Sequence, residues 1–217
     1  MFLLIITLTG DLAAGEIKGK VIIKRPPPES SKIASRSIIQ KYVTKSVKGQ
    51  PNTQDREEPP TVVIYIDDLQ LSNNSTDNRV AILDQTSEKF VPHVLPILVG
   101  TSVRFLNSDE VYHNVFSYSS TKSFDLGRYA KGKYRSVMFD KPGLVKIYCD
   151  IHTHMSAFIL VLENPYFTTT DEEGHFEIKN IPPGTYTVKA WYGRWPEKTK
   201  TVVVKNSGVT EVEFVLP

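Results

Sequence analysis

Asp140-Lys141-Pro142-Gly143-Leu144-Val145-Lys146-Ile147-Tyr148-Cys149-Asp150-Ile151-His152-Thr153-His154-Met155 runs from a turn through a strand into an unusual loop. Pro142 and Gly143 stand where a type II turn wants them, at the positions needing φ near −65° and φ > 0, so a new strand is expected from Leu144. In a strand successive side chains alternate between faces, which puts Val145, Ile147 and Cys149 on one side. Cys149 is therefore predicted to point inward at a strand end.

The same pattern of short strands extends in both directions. Ile97 to Phe105, Val111 to Ser117, Ser136 to Phe139, Leu144 to Cys149 and Ala157 to Leu162 carry the alternation or compact apolar run of strands, with almost nothing at helical period. After Asn164, TTTDEEGHFEIKNIPPGTYTVKAW and KTVVVKNSGVTEVEFVL predict three or four antiparallel strands, with turns at Glu173-Gly174, Pro182-Pro183-Gly184 and Asn206-Ser207-Gly208. Upstream, residues 15–23 and 61–66 are also rich in β-branched residues. The interval between them, from Pro26-Pro27-Pro28 to Pro59-Pro60, is expected to be a long loop with one helical turn, or plain disorder. The fold class is all-β, a sandwich or barrel.

At the start, Phe2 to Leu8 is a short apolar run followed by Ala13, Ala14 and Gly15, which offer small residues before a cut at Glu16. Residues 1–15 are thus read as a signal peptide and the protein as periplasmic or secreted. The first lysine is Lys18, so the basic leader is missing, and a buried strand is the other reading. No segment approaches the ~20 apolar residues of a spanning helix.

Composition narrows the function. The 217 residues include 26 Lys+Arg and 24 Asp+Glu, a formal charge of +2, which provides no summed field for nucleic acid or an anionic membrane. The single cysteine, Cys149, excludes an intrachain disulfide and a Cys-pair zinc site. Its partners are not cysteines.

Thiolate, imidazole and thioether crowd into Cys149, His152, His154 and Met155. Copper favours two imidazoles and one thiolate with a weak axial thioether. The loop offers three of these four, and His113 in Val111-Tyr112-His113-Asn114-Val115-Phe116-Ser117, beside a strand-like run, supplies the second imidazole. Each residue also has an ordinary role: a cysteine as a small core hydrophobe, a methionine as a gap filler, a histidine as a solvated loop side chain.

These residues resemble the cupredoxins, the small blue copper proteins. Phe90-Val91-Pro92, then Leu98-Val99-Gly100-Thr101-Ser102-Val103-Arg104-Phe105-Leu106-Asn107, then His113-Asn114, then Gly143 to Cys149 follow that family's order of strand, glycine turn, Asn-ended strand, first ligand loop and ligand strand. The resemblance covers residues 79–163, and the Cys-x-x-His-x-x-Met spacing is the family's short, amicyanin-type loop. It implies one mononuclear type 1 copper held by His113, Cys149, His152 and Met155, with Asn114 bracing the first loop against the cysteine loop. It further implies single-electron transfer with a protein redox partner docking near His152, and no enzyme activity. Chains described as methylamine-utilisation or plastocyanin-like exported proteins are similar. The amicyanin-type loop carries prolines that Asp150, Ile151, Thr153 and His154 lack. His154 and His93 are candidates for an accessory metal or pH-sensing site, with a solvated side chain as the alternative. His175 is expected at the surface.

Residues 164–217 resemble carboxypeptidase regulatory-like domains, small transthyretin-like sandwiches, through Thr170-Asp171-Glu172-Glu173-Gly174-His175-Phe176-Glu177-Ile178 and Pro182-Pro183-Gly184-Thr185-Tyr186. Such domains place a G-x-V strand and a second apolar strand before that run. Gly19-Lys20-Val21 and Val62 to Ile66 have these properties but lie in residues 16–70, on the far side of the copper-binding stretch. The expected arrangement is a cupredoxin inserted into a discontinuous sandwich. The alternative is beads on a string, with Val62 to Ile66 joining the cupredoxin sheet. No H-E-x-x-H or equivalent zinc cluster is present. Trp191, Tyr192 and Trp195 could form a sugar-stacking platform, or lie in the core. A non-redox module, delivering copper or binding a surface or glycan, is the rival function.

Overall fold

The computed structural model describes residues 14–24, 60–69, 78–193 and 195–217. The apolar run Phe2–Leu8, the interval 25–59 and residues 70–77 of the polar connection lie outside the described residues.

Among the described residues every regular element is a strand. The chain begins with β1 (Gly15–Ile23) and β2 (Val63–Ile66). It continues through β3 (Val80–Thr86), β4 (Lys89–Val91), β5 (Val94–Leu98), β6 (Thr101–Leu106), β7 (His113–Tyr118), β8 (Ser123–Tyr129), β9 (Tyr134–Phe139), β10 (Gly143–Tyr148) and β11 (Ser156–Leu162). It closes with β12 (Phe167–Thr169), β13 (His175–Ile181), β14 (Gly184–Trp191), β15 (Lys198–Val204) and β16 (Val209–Leu216).

These strands make two sandwiches. In one, a five-stranded sheet of order β5-β11-β10-β7-β8 faces a four-stranded sheet of order β4-β3-β6-β9. In the other, a three-stranded sheet β13-β1-β16 faces a four-stranded sheet β12-β2-β14-β15. Strand β1 lies parallel to β16 and antiparallel to β13, while β2 pairs antiparallel with β12 and β14. The second sandwich therefore draws strands from both ends of the chain, with β3 to β11 between them in sequence.

Gly19 shows how tightly β1 is held. It sits opposite Phe176 on one side and Val212 on the other. A Cβ there would lie 1.7 Å from the Val212 carbonyl oxygen and 2.6 Å from the Phe176 ring. Only glycine leaves room here for the Val212 backbone and the Phe176 ring.

The run Ile97–Phe105, expected as one strand, is two. β5 and β6 are parted by Val99-Gly100 and belong to opposite sheets, because the chain crosses the sandwich at this glycine turn. Gly143 adopts φ +129°, as the turn before β10 requires. Strand β8, at the edge of its sheet, was not expected, although Phe124 and Leu126 of its SFDLGRY sequence alternate with polar residues and pack against the core.

The core of the nine-stranded sandwich contains Leu83, Val103, Phe105, Val115, Phe139, Val145, Ile147 and Ile159, and Cys149 and Met155 belong to the same cluster. Strand β2 is buried on both faces. Ile64 and Ile66 face the core of their own sandwich, while Val63 and Tyr65 pack against Val94, Leu160 and Leu162 of the other. Burial on both faces replaces alternation with a continuous apolar run. Trp191 completes this junction, 5% exposed, with its ring edge-on to Phe158 at 5.5 Å. The sugar-stacking platform is accordingly not built: Trp191 lies between the sandwiches, and Tyr192 packs against the core of the second one.

Candidate metal centre

The site forms at one end of the nine-stranded sandwich, where adjacent antiparallel strands end. Tyr148 of β10 pairs with Phe116 of β7. Continuing that register places Val115 opposite Cys149 and brings His113, the first residue of β7, level with the loop that follows Cys149. The loop then closes on itself, the Met155 N–H donating to the His152 carbonyl at 2.9 Å, before β11 begins at Ser156.

Three donor atoms converge. The Nδ1 atoms of His113 and His152 are 3.0 Å apart, and Cys149 Sγ lies 3.9 Å from His113 Nδ1. One ligand atom from each of the three residues falls within 4.8 Å of the others. His113 is fully buried, Cys149 and Met155 nearly so, and His152 is half-buried. Met155 shares the apolar cluster that surrounds Cys149.

A carboxylate orients the buried imidazole. Asp109 Oδ2 accepts from His113 Nε2 at 2.8 Å. The backbone N–H groups of Ser87 and Glu88 donate to Asp109 Oδ1 at 2.6 Å and to Oδ2 at 2.9 Å. Burial of this carboxyl works to raise its pKa. The Glu88 N–H, His113 and the Ser87 N–H outweigh that effect and hold it below the usual carboxylate range. Asn107 anchors the intervening loop, its Nδ2 donating to the carbonyls of Val111 and Tyr129 and its Oδ1 accepting from the Asp109 N–H.

Asn114 is nearly buried beside His113, but its side chain turns to β8, where Nδ2 donates to Asp125 Oδ1 at 2.7 Å. This hydrogen bond ties β7 to the neighbouring strand β8. His154 is exposed, its ring 6.1 Å from that of His152 and its Nε2 3.5 Å from Glu88 Oε2. His93 is exposed at the start of β5 and stands edge-on to Phe158. Neither joins a potential ligand group among the described residues. His175 is exposed beside Asp171 and Glu173; Asp171 Oδ1 accepts the N–H groups of Glu173 and His175, an arrangement that closes the turn.

Residues 156–217 match the family model of the carboxypeptidase regulatory-like domain. No curated protein matches the chain. Among solved structures, the chain is similar to a reduced variant of amicyanin, at 22% identity over 39% of this chain and 83% of that one, TM-score 0.36. It is also similar to a purple cupredoxin from Nitrosopumilus maritimus, at 26% identity over 39% and 99%, TM-score 0.34. A copper-containing nitrite reductase from Thermus scotoductus SA-01 matches at 24% identity over 44% and 25%, TM-score 0.39. This chain is similar to cupredoxins. The match to the regulatory-like domain begins at Ser156, so it includes β11, which hydrogen-bonds within the nine-stranded sandwich.

The donor set suits a thiophilic metal that also accepts imidazole. The Nε2 of His113 is occupied by Asp109, which leaves its Nδ1 as the free donor facing Cys149 and His152. Sequence reasoning did not single out Asp109, and it gave Asn107 only as the end of a strand. Their signal was present in Asn107-Ser108-Asp109, polar turn formers directly after a strand, with Asp109 four residues before His113.

Proposed function

We propose that this chain is an exported mononuclear blue copper protein that passes single electrons to and from a protein partner. The observation that carries this reading is the convergence of His113 Nδ1, His152 Nδ1 and Cys149 Sγ at the edge of the core cluster to which Cys149 and Met155 belong. His113, Cys149, His152 and Met155 would hold a copper ion, which would supply a one-electron couple there.

The protein's part is to hold these groups still. Cys149 and Met155 are anchored in the core cluster, and His113 is clamped through Nε2. Ligands that barely move between oxidation states keep the reorganisation cost of electron transfer small. His152 is the ligand ring that reaches the surface, so electrons leave through its edge and a partner docks on that face. No catalytic step is assigned to the chain, and its function is transfer alone. The copper unit, residues 79–163, is carried as an insertion between the two parts of the regulatory-like sandwich, 16–70 and 164–217. No helix of the described residues is long and apolar enough to cross a membrane.

Cu(II) added to the purified metal-free protein should give an intense blue thiolate-to-copper band and reversible one-electron electrochemistry. Retention of Cu(I) without colour would instead assign the chain to copper delivery.

A further inference from the structure

The clearest unassigned feature is the β3–β4 hairpin and what its tip holds. Thr86 and Lys89 pair, leaving Ser87 and Glu88 as a two-residue turn, both at φ 53°. Positive φ at both central positions is the geometry usually given to Asn-Gly. Here two residues with side chains adopt it, and their N–H groups close on the Asp109 carboxylate. That carboxylate reaches on to His113 Nε2.

We propose that Asp109, seated on the Ser87-Glu88 turn, is a positioning residue that fixes the His113 ring as the Nε2–H tautomer and so keeps Nδ1 free to bind the metal. This rests on the copper reading for its consequence, but the tautomer itself is a property of the metal-free chain. An ionised carboxylate only accepts, so a proton must lie on the His113 nitrogen facing it. Asp109 meets three donors with two oxygens, the Ser87 N–H on one and the Glu88 N–H with His113 Nε2 on the other. An asparagine presents one acceptor and one donor to the same three groups. It must either set its NH2 against a backbone N–H or turn it toward His113, which favours a proton on Nδ1. A carboxylate also makes the imidazole a stronger electron donor, and loss of such a partner to a ligating histidine typically costs 10–100-fold in metal affinity.

The test is 15N NMR of the metal-free chain, with Cu(II) titration and voltammetry of the same samples. Wild type should show His113 as the neutral Nε2–H tautomer. Asp109→Asn should lose that preference, weaken Cu(II) binding by about 10–100-fold and raise the reduction potential, since Cu(II) depends more on a strong donor than Cu(I) does. Asp109→Asn with unchanged tautomer and affinity would overturn the proposal, as would wild type with its proton on Nδ1, an outcome that needs no variant to fold. A wild type with the Nε2–H tautomer but no copper colour would sink the blue-copper reading alone.

Discussion

His113 Nδ1 and His152 Nδ1 stand 3.0 Å apart, one from the first residue of β7 and the other from the loop after β10. Asp109 occupies the opposite nitrogen of His113, so the close pair is held together by a proton on His152 or by a metal between donors. Cys149 Sγ, 3.9 Å from His113 Nδ1, completes the arrangement.

Replacing the sulfur tests the site most directly. Cys149→Ser removes the thiolate on which the blue band depends, so the Cu(II) protein should be colourless. A hydroxyl left poorly paired in the core should also cost about 1–3 kcal/mol. Visible absorption and thermal denaturation read the two effects separately, and a blue Cys149→Ser protein would contradict the ligand assignment.

His154 provides the control. It is exposed, and its contact with Glu88 is a surface pair worth under about 1 kcal/mol. His154→Ala should therefore keep the colour and nearly all the stability. Loss of the band in this variant would mean that His154 is a ligand in place of His152.

Trp191 couples the two sandwiches. Truncating so large a buried ring should cost about 3–5 kcal/mol, lost mainly at the junction with Phe158, Leu160 and Val63. Differential scanning calorimetry should show one transition for wild type and two for Trp191→Ala. In wild type, copper at 100 times its Kd should stabilise by about 2.7 kcal/mol and shift the whole transition. In Trp191→Ala it should move one transition only. Two independent transitions in wild type would show that the junction does not couple the units.

Gly19→Ala asks whether β1 is packed as tightly as its spacing implies. The added methyl collides with the Val212 carbonyl and the Phe176 ring, both of which belong to flanking strands. Overpacking of this kind should cost about 3 kcal/mol, measurable as a lower midpoint in urea. An unchanged midpoint would mean that β1 shifts freely, contrary to its pairing with both β13 and β16.

The all-β class was legible because period-two patterning survives wherever a strand has one wet face, as in Val145 and Ile147 of β10 with Cys149 directly after it. That patterning was overlooked in β8, where Phe124 and Leu126 alternate with Ser123, Asp125 and Gly127, and the periodic reading ran Ile97 to Phe105 together across the change of sheet at Gly100. Cys149, His152 and Met155 could be grouped in advance since they share one short loop. The sequence by itself determined strands, turns and the donor chemistry, all of which depend on residues close together in the chain. Only the tertiary structure decided that β1 and β2 pair with strands more than a hundred residues away, that Trp191 is a junction, and that Asp109 meets the Ser87-Glu88 turn. Those contacts depend on which strand edges and faces meet after the chain has closed, and local patterning carries no record of that choice.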